Sequence, residues 1–192
     1  MERLKKKYKN ELTEFAKQKD TIRRLWNISE NTAELLYLLV LMKNPKQILE
    51  IGTSNGYSTF WLSLAAEKCN SSVTSIEIDT NRFNLAKENL KKRHNIELIN
   101  KKAEYAIPNF TDKFDFVFID AGKINYIDYI KLLQNKLNDN AVIIADNVTS
   151  HSHTVEEYLS YVKSSVNYNS MTLPFEAGLE ITIYNDTGDN NA

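Results

Sequence analysis

The stretch LEIGTSNGYSTFWLSLA, Leu49 to Ala65, decides how the rest of the chain is read. Its first residues continue a short apolar run that fits a buried strand, and from Tyr57 onward apolar residues recur at helical spacing. Between them Gly52 and Gly56 allow positive φ and close approach of backbone to a ligand, just ahead of a helix N-terminus. The same glycines would also serve a tight strand-to-helix turn that holds nothing. Ser54 stands where a dinucleotide-binding turn has its second glycine, so the pattern departs from that fingerprint.

Outward from this turn the pattern alternates. Strands are expected at 47–51, 73–78, 96–99, 115–119 and 141–145, with helices at 57–68, 81–93, 103–107 and 123–137. Short β-branched runs separated by helices predict a parallel sheet covered on both faces. After a helix at 154–166, strands at 170–173 and 179–184 are joined by Pro174-Phe175-Glu176-Ala177-Gly178, which suggests an antiparallel hairpin. Upstream, a basic helix is expected over 4–26, and Ser29 caps another over 30–43 that Asn44-Pro45 ends. The expectation is one α/β domain with a Rossmann-like, doubly wound, mostly parallel seven-stranded sheet. Residues 1–45 form a helical cap, 46–184 the core and 185–192 a polar tail.

Composition narrows the classes. At 192 residues, 42% hydrophobic and 26% charged, with a net charge of -1, the chain has no general pull toward nucleic acid or acidic membranes. The N-terminal segment is locally basic, with Arg3, Lys5, Lys6, Lys7 and Lys9 followed by Lys17, Lys19, Arg23 and Arg24. That charge reads as a solvated helix face or as a patch for an anionic substrate. Cys69 is the only cysteine, which excludes a disulfide framework and a cysteine metal site within one chain. No signal-peptide core follows the basic start, and the apolar run Leu35 to Met42 is too short to span a bilayer. A cytoplasmic protein without membrane attachment is expected.

In an open α/β sheet ligands bind outside the carboxyl ends of the strands. Here those ends are Gly52 to Ser58, Glu77-Ile78-Asp79, Ala103-Glu104, Asp120 to Lys123 and Asp146-Asn147. Glu77 sits where an acid can accept both hydroxyl hydrogens of a ribose. Together with the glycine turn it favours an adenosine-bearing cofactor. Asp120 and Asp146 each follow a buried strand directly. Such acids repel unless a proton or cation intervenes, and with the Asn147 amide oxygen they make a hard donor set suited to Mg²⁺. Helix capping is the other reading of these acids. It fits Asp146 poorly, because Asn147 to His151 does not start a convincing helix.

In these residues the chain resembles the class I S-adenosylmethionine-dependent methyltransferases, and among them the cation-dependent O-methyltransferases related to catechol and caffeoyl-CoA O-methyltransferases. The resemblance runs from Ser29 to Tyr184. By it, LEIGTSNGYS looks like the first motif, so Glu50, Gly52, Ser54, Gly56, Tyr57 and Ser58 would hold the methionine part of the cofactor. Glu77 would take the ribose, and Ile78, Ala103 and Glu104 the adenine. In FIDAGKINY and ADNV, Asp120, Asp146 and Asn147 would hold the divalent cation, with Asp120 also facing the cofactor, and Lys123 matches the catalytic lysine. Ala121 and Gly122 depart from the catechol enzymes, which carry His and Trp there, so the adenine pocket is built differently or is more open. Trp26-Asn27-Ile28 is the candidate for a closing loop and Glu176 for a second-hydroxyl contact. The implied reaction is methyl transfer to a hydroxyl of a small phenolic substrate, with Lys123 as base or as stabiliser of the oxyanion. Related enzymes are often dimers.

Three rivals stay open. A hydroxylated nucleoside in tRNA is an alternative acceptor that the basic N-terminal helix would suit. An NAD-dependent oxidoreductase shares the fold but would want glycine near 54 and 57. A non-catalytic S-adenosylmethionine-binding module would need no metal.

Overall fold

The computed structural model describes residues 1–22 and 25–187. Arg23, Arg24 and the end of the expected polar tail, from Gly188 on, lie outside the described residues.

Five parallel strands, β1 (Gln47–Ile51), β2 (Ser72–Glu77), β3 (Ile96–Asn100), β4 (Phe114–Ile119) and β5 (Leu137–Asp146), are joined by an antiparallel pair, β6 (Tyr168–Leu173) and β7 (Leu179–Tyr184). The sheet order is β3-β2-β1-β4-β5-β7-β6. Strand order therefore reverses between β1 and β4, where a doubly wound sheet opens a crevice at its carboxyl edge. The expected parallel core and terminal hairpin are both present, with β7 inserted antiparallel against β5. β5 starts earlier than expected: Leu137 pairs with Phe114, and a register shift follows before Val142 meets Phe116.

Helices cover both faces. One core cluster lies under α6 (Ala103–Ala106), α7 (Tyr126–Leu133) and α8 (Glu156–Ser164); the other lies under α2 (Lys9–Thr21), α3 (Glu30–Lys43), α4 (Tyr57–Cys69) and α5 (Thr80–Asn89). Ser29 caps α3 as expected, its Oγ accepting from the Thr32 N–H at 3.0 Å. The single helix expected over 4–26 is instead α1 (Glu2–Lys7) and α2. They break at Tyr8, whose ring stands edge-on to Phe60 at 5.6 Å. Helix α2 stops at Thr21, and Leu25 and Ile28 bury themselves as separate anchors. The residues expected to form one helix thus serve three local packings. Among the described residues no helix is long and apolar enough to cross a membrane.

Candidate functional site

A cavity of about 1050 Å³ opens at the carboxyl edge of the sheet, where β2, β1, β4 and β5 end. Its floor is the glycine turn. Gly52 has φ +109°, and a Cβ there would lie 2.2 Å from the Asp120 carbonyl oxygen. Only glycine lets β1 and the loop after β4 run this close. Ser54 follows at φ 51°, a conformation that costs a non-glycine residue free energy and so marks a constrained site. The constraint has a visible source: the Ser54 N–H donates to Glu77 Oε2 at 2.7 Å.

Glu77 is almost fully buried and holds several partners. Beside Ser54, the Asp79 N–H donates to its Oε1 at 2.8 Å and the Arg82 guanidinium lies 3.1 Å from the same oxygen. Arg82 is a partner that sequence reasoning missed; its position in the first turn of α5 was the available signal. The turn is also held from outside. Gln18 of α2 accepts from Asn55 at 3.1 Å and from Asn89 at 2.8 Å, while Asn89 donates to the Asn55 carbonyl at 2.9 Å. These amides, Gln18 and Asn55 buried and Asn89 half-buried, latch the N-terminal helix onto the glycine turn.

At the other end, β4 and β5 deliver Asp120 and Asp146. The buried Tyr126 hydroxyl lies 3.0 Å from the Ile119 carbonyl and 3.1 Å from that of Asp146, within reach of a donated hydrogen bond to either. That ties the two strand ends together beneath the carboxylates. Tyr126 is core by burial, and its hydroxyl also positions the site. Burial, and then the charge of Asp120, pushes the Asp146 carboxyl up to about 6. Lys123 Nζ donates to Asp120 Oδ1 at 2.6 Å. Asn147, at φ 63°, lines the same wall. The following loop is clamped to the β6–β7 turn, because Val148 N–H donates to the Gly178 carbonyl at 3.0 Å. Gly178 is obligatory there, since a Cβ would lie 2.0 Å from Thr149 Oγ1. The clamp brings Glu176 to the cavity, its Oε1 accepting from Asn31 at 2.7 Å.

The cavity thus gathers Gly52, Ser54, Glu77, Ile78, Ala103, Glu104, Asp120, Lys123, Asp146 and Asn147. Glu50, Gly56, Tyr57 and Ser58 do not form part of its wall. Glu50, on β1, is sealed between the sheet and α4, accepting from Thr59 and Ser75. Burial pushes its carboxyl up to about 7. Tyr57 packs edge-on to Phe15 at 5.5 Å, and the open side of Gly56 faces Leu90 and Ala86. The reason is the turn itself: α4 leaves it at Tyr57 and carries residues 57 and 58 toward α2 and the sheet. His151 reaches the cavity, whereas His153 borders a separate groove beside α8.

Two observations bear on what the cavity can hold. Asn27 Oδ1, Ser54 Oγ and Arg82 Nε are buried without a partner, and all three residues line the wall. Buried polar atoms of this kind call for a polar ligand, and an amino-acid tail and a ribose offer matching groups. Among the described residues no three His, Cys, Asp or Glu side chains gather as a metal site. The donor set is two carboxylates with the Asn147 carboxamide, which fits a hard divalent cation that keeps open positions.

An O-methyltransferase family model matches residues 2–173. A catechol O-methyltransferase of Niastella koreensis is 30% identical over 138 residues, covering 68% of this chain and 62% of that protein. A caffeoyl-CoA O-methyltransferase of Medicago sativa is 26% identical over 180 residues, covering 84% and 72%. In fold, the SAH-bound methyltransferase of Podospora anserina superposes with a TM-score of 0.85 at 20% identity, covering 92% of this chain and 88% of that one. The chain spans less than two thirds of the catechol enzyme's length.

Proposed function

The chain belongs to the O-methyltransferase family, and from that membership we propose that it transfers the methyl group of S-adenosylmethionine to a hydroxyl oxygen of a small phenolic acceptor, assisted by a divalent cation. The observation that carries the reading is the single cavity in which Ser54 and Glu77 stand at one end and Asp120, Lys123, Asp146 and Asn147 at the other.

Each end has a task. Glu77 and the Ser54 turn hold the ribose and the methionine tail, the tail finding Ser54 Oγ and Asn27 Oδ1 as partners. Asp120, Asp146 and Asn147 would hold the cation, which supplies Lewis-acid polarisation of a hydroxyl and counter-charge for two facing carboxylates. Lys123, on Asp120 Oδ1, is placed to receive the hydroxyl proton when neutral or to steady the oxyanion when charged. Tyr126 keeps the two acids in register. Rigid placement of donor and acceptor in line could itself supply on the order of 7–11 kcal/mol. That is why the latched turn and the acidic end belong to one pocket.

A transfer assay with labelled S-adenosylmethionine against a catechol, a caffeoyl ester and bulk tRNA tests the proposal. Label is expected on a phenol. Label on tRNA alone, with steep salt dependence, would move the acceptor to RNA. One lysine of the basic arm is already committed within the chain: Lys5 is held by Glu2, Glu30 and Glu34 at 2.8–3.0 Å.

A further inference from the structure

The segment between α2 and α3 is anchored at Leu25 and Ile28, both buried, yet Trp26 between them keeps 68% of its surface exposed. It does so while lining the cavity. An aromatic face held open to water beside a cavity is a surface awaiting a cover. Its orientation is not left to chance. The Arg82 guanidinium stands 5.8 Å from the centre of the Trp26 ring, and the same guanidinium is paired with Glu77. One line of contacts therefore runs from the acid at the end of β2, through Arg82, to an indole at the cavity mouth. The loop after β4 lines the same cavity with Asp120, Ala121, Gly122, Lys123 and Asn125, none of which carries an aromatic ring. Ile78, 57% exposed, is the other apolar surface at this end.

We propose that Trp26 is the stacking residue for the adenosine of the donor, with Arg82 as the positioning residue that sets its indole. The N-terminal segment then supplies the aromatic face that the β4 loop lacks. This inference rests on the donor reading above. A base stacked on an aromatic side chain gains enough that its removal weakens binding about tenfold or more.

The test titrates the full chain and its Trp26→Ala, Trp26→Phe and Arg82→Met variants with S-adenosylhomocysteine and, separately, with adenosine. Trp26→Ala is expected to raise both dissociation constants about tenfold or more, and Trp26→Phe to recover most of the loss. Arg82→Met should fall between them. In turnover the loss should appear in the donor KM and not in the acceptor KM. Trp61 is fully buried and is the only other tryptophan, so fluorescence quenching by S-adenosylhomocysteine should vanish in Trp26→Phe. Wild-type affinity in Trp26→Ala, or a rise confined to the acceptor KM, overturns the inference and leaves the donor reading standing. A wild-type chain that binds neither compound removes the donor reading, and this inference with it.

Discussion

The two ends of the cavity are built on opposite plans. Where β1 and β2 end, the acid is already matched: Glu77 accepts two backbone N–H groups and pairs with Arg82, and side-chain amides brace the turn from behind. Where β4 and β5 end, Asp120 and Asp146 face one cavity with the single ammonium of Lys123 beside them. The first end is braced before any ligand arrives and can act as a rigid seat, with Asn27 Oδ1, Ser54 Oγ and Arg82 Nε left for a ligand to satisfy. The second end carries surplus negative charge, which costs free energy in a buried setting until a cation balances it. Binding and chemistry should therefore separate along the cavity, and substitutions can show whether they do.

The largest effect is expected from Asp146→Ala. If Asp146 holds the proposed cation, its loss removes several kcal/mol of transition-state stabilisation, so turnover should drop by about 10³-fold, while S-adenosylhomocysteine affinity changes by no more than about threefold. Equal losses in both would mean that the ends are not independent. Lys123→Ala comes next. A positioned proton acceptor contributes about 10²–10⁴-fold, read in kcat, with donor binding again spared. Unchanged turnover would remove Lys123 from the chemistry.

The smallest effect concerns Glu50, which sits beneath the rigid end. Its folded pKa of about 7 lies above the ordinary value of 4.5, so between those values the folded chain holds a proton that the unfolded chain has released. Stability should accordingly fall as pH rises from about 4.5 to 7 and then level off. Glu50→Gln should flatten that slope, by up to about 3 kcal/mol over the window. Urea midpoints measured across this range provide the check, and an unchanged slope would show that Glu50 does not titrate there.

The strand ends were legible in the sequence because each is a short β-branched run that stops at glycine or at an acid: Ile51-Gly52, Ile119-Asp120, Ala145-Asp146. That rhythm set the order of the elements and collected the polar residues on one edge. The Ser29 cap and the β6–β7 hairpin were local signals of the same kind. What stayed hidden depends on distant partners. Gln18 meets Asn89 across 71 positions, and nothing in a polar helix marks which glutamine will be buried. The end of α2 at Thr21 follows from where Leu25 and Ile28 find pockets, a tertiary outcome that helical periodicity does not encode. Glu50, Tyr57 and Ser58 were expected at the cavity from the resemblance, but Glu50 points from β1 into the interior, where Thr59 and Ser75 donate to it, and the sharp departure of α4 carries Tyr57 and Ser58 inward. Arg82 sits in the first turn of α5, which was a signal, but its meeting with Glu77 depends on how α5 begins after Asp79.

The measurement closest to the central claim compares methyl transfer and S-adenosylhomocysteine binding in the wild-type chain, each with excess Mg²⁺ and with excess chelator. The account predicts that chelator abolishes transfer and leaves binding intact. Full transfer in chelator, or loss of both together, would contradict it.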